Sequence, residues 1–320
     1  MLYVNGRFLT QPITGVNRYA YDQCRKMQQD GIPFVLVCPR GSISNDYDLS
    51  GMQVVRFGWG RSHFWAQLVL PWFFLGKHDA RLICFMGLAP LLVKHTEMTI
   101  HDLSFLYNPV WFSKGYYCFY RMFTPICARH AERLITVSKT SKDDVLTRYP
   151  FLKNKPFDII RPNINTDFFY PSDVERQNFL LAVASLDPRK NMRTLIRVVS
   201  KHPSIRLKVV GGTNRVFADA NVSPAANVEM LGRVSDSELR QLYRTAAGFV
   251  FPSLFEGYGS PPVEAMLCDC PVAVSDIPVL HETCDLMRKS NSTILYFNPL
   301  DENDILDKIE QLLKSHQHNQ

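Results

Sequence analysis

Short apolar runs suited to β-strands alternate with longer helical patterns along the whole chain. That alternation restricts the possible folds more than any other feature of these 320 residues. In the first half the runs fall at residues 2–9, 34–38, 54–57, 82–85, 98–101, 134–137 and 159–160, with helix-like stretches such as 16–29 and 113–133 between them. The opening MLYVNGRFLT reads as one strand. In the second half the runs fall at 179–184, 206–210, 228–230, 248–251 and 271–274. Strands separated by helices cannot pair as hairpins, so the pattern predicts parallel sheets covered on both faces.

The chain is longer than one hydrophobic core usually organises, and two domains of about 150 residues are the natural division. The proline-bounded segment PNINTDFFYP, residues 162–171, is the natural connection because proline stops helices there. It predicts an N-terminal domain over residues 1–165 and a C-terminal domain over 166–320. Doubly wound sheets bind ligands at the carboxyl ends of their strands, so candidate site residues should directly follow strands.

The stretch FPSLFEGYGSPPVEAM, residues 251–266, meets that condition. The buried-looking run AGFVF leads into a tight loop containing Gly257 and Gly259, and Pro261 and Pro262 suit the first turn of a helix. Glu256 lies in the loop and Glu264 inside the helix, eight positions on. A strand, a glycine loop and a helix start together offer backbone N–H groups to an anion or a hydroxylated ligand. In the plainer reading the two glutamates only cap N–H groups at a loop-to-helix corner.

This stretch resembles the signature of retaining, nucleotide-sugar-dependent glycosyltransferases of family 4. The FPS, the EG, the second glycine, the proline pair, the EAM and the following Pro271 all fall where that family has them. The resemblance implies the GT-B fold, an α/β architecture of two Rossmann-like doubly wound parallel-sheet domains facing across a cleft. It also implies that Glu264 accepts hydrogen bonds from the ribose hydroxyls of a nucleotide and that Glu256 reaches hydroxyls of the donor sugar. Backbone groups of Gly257, Tyr258 and Gly259 would hold sugar or phosphate.

Three other segments extend the resemblance. LDPRKN, residues 186–191, resembles the family's pyrophosphate-holding segment, with Lys190 as the matching cation. Ala184 and Ser185 stand where many relatives have Gly-Arg, so Arg189 is expected to substitute in part, with Ser185 among the donor-binding residues. Concentrated positive charge there would stabilise a departing diphosphate. In TIHDLSF, His101 matches a histidine that lies against the donor sugar, while Asp102 reads as a cap of the following turn. TGVNRY, residues 14–19, corresponds to a glycine-rich loop near phosphate and acceptor, although only Gly15 remains of what is often a glycine pair; Arg18 is placed to meet an acceptor phosphate. TVSKTSKDDV, residues 136–145, resembles a segment that packs the domain.

Charge and composition narrow the partners. Residues 1–170 carry 20 Lys and Arg against 12 Asp and Glu, whereas residues 171–320 carry 16 against 18. Such asymmetry favours an anionic partner for the first half. Three of the four tryptophans (Trp59, Trp65, Trp72) cluster near Arg61, Lys77 and Arg81. The apolar run 64–76 is too short to span a bilayer and is interrupted by Pro71, which leaves two readings open: core helices, or an interfacial element at an anionic membrane. No secretory signal is visible, which predicts a cytoplasmic protein, with a peripheral position on the inner face of the membrane as the second reading. The eight cysteines show no CxxC pair and read as free thiols. Asp46 and Asp48 sit in a polar loop and read as solvated. The resemblance implies a two-Rossmann enzyme that neutralises the diphosphate with side chains and a helix end, so no metal or other cofactor is expected. No RNA-binding pattern is visible, and nucleic acid is not expected as a partner.

The resemblance therefore implies transfer of a hexose, mannose or rhamnose favoured, from a nucleotide diphosphosugar, GDP-linked as first choice, to a hydroxyl of a lipid-linked or oligosaccharide acceptor in surface-glycan synthesis. Two alternatives are a nucleotide-sugar epimerase of the same fold and a non-catalytic partner. The second draws on the absent Gly-Arg and on SHQHNQ following residues 301–313, where the family usually has further helices.

Overall fold

The computed structural model of the chain describes residues 1–11, 13–184, 187–211, 225–290 and 292–318, with side chains to residue 315. It divides into two compact units, Met1–Asn163 and Ile164–Gln320.

The first unit contains a seven-stranded sheet built from β1 (Leu2–Asn5), β2 (Val35–Cys38), β3 (Gln53–Arg56), β4 (Arg81–Cys84), β5 (His95–Ile100), β6 (Arg133–Thr136) and β7 (Phe157–Ile159). Their order is β3-β2-β1-β4-β5-β6-β7, and every neighbouring pair is parallel. The second unit repeats the plan with β8 (Gln177–Val183), β9 (Leu207–Val210), β10 (Val228–Gly232), β11 (Ala246–Phe251), β12 (Val272–Ser275) and β13 (Ile294–Phe297). Its order is β10-β9-β8-β11-β12-β13, again parallel throughout.

In each sheet the winding direction reverses once, between β1 and β4 in the first unit and between β8 and β11 in the second. Loops leaving two adjacent strands at such a reversal diverge to opposite faces and leave a crevice at the strand ends. The loops after β1 and β4, and those after β8 and β11, are therefore the places to look for chemistry.

The central strands are apolar because both faces are covered. All six residues of β11 are buried, as are all four of β12. One core gathers Val37, Trp65, Leu70, Leu82, Met98 and Leu134 on the first sheet. Leu180, Leu195, Val209, Val250 and Ile309 pack one face of the second, and Phe249, Val272 and Leu280 the other.

Two expectations need correction. The opening strand does not run to Leu9: β1 ends at Asn5, whose side chain accepts the Arg7 N–H at 3.2 Å and turns the chain into a 3-10 helix, Gly6–Thr10. The sequence also hid β13, a four-residue edge strand that is mostly half-buried and so lacks a fully apolar run.

Candidate active site

The reversal in the second sheet brings together the two segments singled out above. After β8, a 3-10 turn, Pro188–Lys190, carries both cations; after β11, residues 252–259 form the glycine loop. The loops are tied by the Leu254 N–H donating to the Arg189 carbonyl at 2.7 Å.

Lys190 Nζ donates to Glu256 Oε1 at 2.5 Å, and both side chains are mostly buried, 20% and 11% exposed. Two charges at that depth hold each other in place, since either one alone would be left poorly solvated. Arg189 folds back onto Asp187, with Nε at 2.7 Å and Nη2 at 2.5 Å from Oδ2, while its own N–H reaches Oδ1 at 3.0 Å. Burial works against the Asp187 charge, but the bonds from Arg189 and the nearby Lys190 hold the carboxyl below the usual range. The expected stand-in arginine is thus already committed to a carboxylate two residues away. Ser185 lies outside the described residues.

Gly259 adopts φ +88°, and a Cβ there would meet Leu280 Cδ2 at 2.6 Å, so the loop requires glycine at this position. The helix Ser260–Leu267 follows without a side-chain cap. Of the four positions whose N–H groups point out of the helix start, Gly259 to Pro262, the two prolines have no N–H, so only Gly259 and Ser260 are donors. The helix start is a weaker anion site than the sequence pattern alone implies, and more of the work falls to Lys190. Gly257 and Tyr258 are buried. Glu264 is half-buried, and its Oε2 accepts the Tyr243 hydroxyl at 3.0 Å. Tyr243 is fully buried; burial first, and then the Glu264 charge, push its pKa well above the ordinary phenol value, so it stays a donor. Sequence reasoning missed Tyr243, which stands 21 positions before Glu264 with no pattern to connect them.

In the first unit, His101 follows β5. Its Nε2–H donates to the Phe85 carbonyl at 2.8 Å, which fixes the neutral tautomer and leaves Nδ1 as an acceptor. Burial lowers its pKa more than the Phe85 bond and Asp102 raise it, so the ring is neutral near pH 7. Tyr19, from the helix Gly15–Gln29, packs edge-on against it at 4.8 Å, and the Ser141 hydroxyl donates to the His101 carbonyl at 3.0 Å. The TVSKTS segment thus supports the His101 loop. Asp102 Oδ1 accepts the Ser104 N–H at 2.8 Å.

Gly15 opens its helix behind the Thr14 cap, and a Cβ there would meet open space, so nothing in the fold demands glycine. Arg18 is exposed one turn later. Asp46 and Asp48 are exposed, and among the described residues no group of three or more His, Cys, Asp or Glu could hold a metal ion. All eight cysteines are free thiols.

The sequence matches the family description Glycosyltransferase Family 4 over residues 13–168 and Glycosyl transferases group 1 over residues 163–320. The chain belongs to the family 4 glycosyltransferases. It is 31% identical over 245 residues to the O-antigen chain mannosyltransferase RfbU of Salmonella typhimurium, covering 73% of this chain and 66% of that protein. It is 26% identical over 217 residues to O-antigen chain mannosyltransferase B of Escherichia coli, covering 60% of this chain and 56% of the relative. The matches therefore span less than two thirds of either relative. Sucrose-phosphate synthase from Thermosynechococcus elongatus superposes with a TM-score of 0.73 at 17% identity, covering 99% of this chain and 90% of the other. WaaG, a glycosyltransferase involved in lipopolysaccharide biosynthesis, superposes with a TM-score of 0.71 at 17% identity, covering 100% and 94%. These likenesses show the GT-B fold.

Proposed function

We propose that the protein is a retaining hexosyltransferase, using a nucleotide diphosphosugar, with GDP-mannose as first choice, to extend a lipid-linked surface glycan. The observation that carries this reading is the buried Lys190–Glu256 pair at the reversal of the second sheet. A diphosphate arriving there gives Lys190 a stronger anionic partner, and Glu256 is released to accept hydrogen bonds from sugar hydroxyls. Glu264, oriented by Tyr243, takes the ribose diol, as a carboxylate with several acceptor sites can. The mannosyltransferase names of the two O-antigen relatives favour mannose.

In the transfer, the bond from the anomeric carbon to the diphosphate oxygen breaks as the acceptor hydroxyl attacks from the same face. The hydroxyl proton passes to the departing diphosphate oxygen. Lys190 stabilises the growing charge, with the helix start at Gly259 and Ser260 adding two N–H groups and no metal required. Neutral His101 accepts a sugar hydroxyl at Nδ1.

For the acceptor's lipid, the first unit supplies an apolar surface. Trp65 and Leu70 enter the core, whereas Trp59, Phe64, Leu68, Trp72 and Leu75 from the same segment remain exposed. Arg40 lies over Trp59 and Lys77 over Phe73. Aromatics flanked by cations suit the headgroup region of an anionic leaflet. Among the described residues no helix is long and apolar enough to cross a membrane. Pelleting with anionic vesicles is expected to fall with salt and in a Trp72→Ser, Leu75→Ser variant.

Incubation with GDP-, UDP- and dTDP-hexoses, reading nucleoside diphosphate release and the anomeric configuration of the product, tests the proposal. Release from GDP-mannose with an α-linked product is expected. No release from any donor, with any acceptor extract, contradicts it.

A further inference from the structure

The reversal in the first sheet holds a charge that the assignments above do not use. Arg7, in the 3-10 turn directly after β1, is 5% exposed. Guanidinium groups do not deprotonate in proteins, so this is a buried positive charge. Among the described residues no carboxylate pairs with it. Its neighbours are neutral: Nη1 donates to His63 Nδ1 at 3.3 Å, and the groups acting on its charge are Tyr120, Cys84 and Tyr116. Nε is buried with no hydrogen-bond partner. A buried unpaired charge is strongly unfavourable, and proteins rarely keep one without a use.

The surroundings preserve this charge. His63 accepts from Arg7 at Nδ1, so its proton sits on Nε2 and is donated to the Tyr120 oxygen at 2.9 Å. Burial, with the Arg7 charge as a second cause, lowers the His63 pKa to about 4, so the imidazole does not compete for an anion by carrying charge. Tyr120 stacks on exposed Tyr116 at 4.3 Å, which carries the cluster to the surface. On the β4 side, Gly87 takes φ +76°, and a Cβ there would stand 2.7 Å from Arg7 Nη2, so only glycine leaves the guanidinium its place. The same β4 turn supplies the Phe85 carbonyl that orients His101. The turn after β4 therefore borders both Arg7 and the residue assigned to the sugar.

We infer that Arg7 is the binding residue for an oxyanion of the acceptor, the guanidinium fork taking two oxygens of a phosphate or a carboxylate while Tyr120 offers its hydroxyl. The inference rests on the glycosyltransferase reading only for calling the ligand an acceptor; the anion site itself stands on the Arg7 geometry. Phosphate would come from the lipid-linked end of a glycan, and carboxylate from an acidic sugar.

The test compares wild type with Arg7→Met, and with Arg7→Lys in case the first does not fold. Melting temperature is followed with inorganic phosphate, pyrophosphate and glucuronate against chloride at equal ionic strength, and with GDP and UDP in parallel. The expected result is that one of the three anions stabilises wild type, that Arg7→Met loses the larger part of that response and Arg7→Lys part of it, and that Arg7→Met without anion melts no lower than wild type. A phosphate response points to the lipid-linked source and a glucuronate response to an acidic sugar. Equal anion responses in all three proteins, or no anion response in wild type, overturn the inference. So does a fall in the melting temperature of anion-free Arg7→Met, which marks a structural arginine. The nucleotide arm keeps the two readings apart: nucleotide stabilisation surviving in Arg7→Met upholds the donor site whatever the anion arm shows, and its absence from wild type removes the donor reading alone.

Discussion

The two sheet reversals are built alike and charged differently. Each has a 3-10 turn with an arginine after its first strand, Gly6–Thr10 in one unit and Pro188–Lys190 in the other. Each also has a glycine of positive φ within its site, Gly87 and Gly259. At the reversal in the second unit both cations of the 3-10 turn have a carboxylate, Lys190 with Glu256 and Arg189 with Asp187. In the first, Arg7 has none. A balanced pair exchanges partners when an anion arrives, so it releases an acceptor group together with the cation. An unbalanced cation instead holds its capacity in reserve and is less stable until it is filled. The same framework thus suits a donor carrying both phosphate and hydroxyls in one place and a simpler anion in the other.

The largest test of this contrast is Lys190→Met. Loss of the leaving-group cation is expected to reduce kcat by about 10²–10³-fold, as for other preorganised charge stabilisers. It also strands Glu256, so the melting temperature should fall. Adding Glu256→Gln should restore stability but not turnover. Recovery of both would mean that the pair is structural.

The glycines should differ next. Gly259→Ala forces a residue with a Cβ to φ +88° against the Cδ2 methyl of fully buried Leu280, a cost of about 2–4 kcal/mol from backbone and overpacking together. Gly87→Ala meets only the movable end of Arg7, so its loss in melting temperature should be smaller, while the anion response falls. Equal losses at the two sites would erase the distinction.

Glu264→Gln should weaken nucleotide binding by about 10–100-fold, the range for a charge-assisted hydrogen bond. Tyr243→Phe, which removes only the orienting bond, should weaken it by about fivefold. Unchanged calorimetric affinity in both would remove Glu264 from the donor site.

The smallest effect is acid sensitivity in the first unit. His63 has an ordinary value of 6.5 and about 4 when folded, so the unfolded chain takes up a proton that the folded one refuses. Stability from this group is complete above pH 6.5 and is lost as pH falls towards 4. His63→Gln should flatten that part of the stability profile in urea titrations.

Much of this was legible in the sequence, for reasons that particular residues make plain. The central strands β11 and β12 are buried throughout, and β8 from Phe179 to Ala182, so they read as apolar runs, with Pro252 after β11 and Pro271 before β12 marking two of the ends. The loop from Glu256 to Pro262 was readable because glycine and proline state their backbone needs openly. The Lys190–Glu256 contact joins residues 66 apart, and only the strand order brings them together. Arg7 was hidden because LYVNGRFLT has the apolar content of one strand; the turn at Asn5 depends on a side-chain hydrogen bond that composition does not encode. The proline pair was read correctly as a helix start, but its cost in missing N–H donors becomes countable only once the first residue of the helix is known.

The central claim is that Lys190 leaves Glu256 to hold a nucleoside diphosphate. Calorimetric titration of GDP, UDP and dTDP into wild type, Lys190→Met and Arg7→Met tests it most directly. One nucleotide is expected to bind wild type and Arg7→Met alike and Lys190→Met at least tenfold more weakly. Equal affinity for Lys190→Met, or no binding of any of the three to wild type, would contradict it.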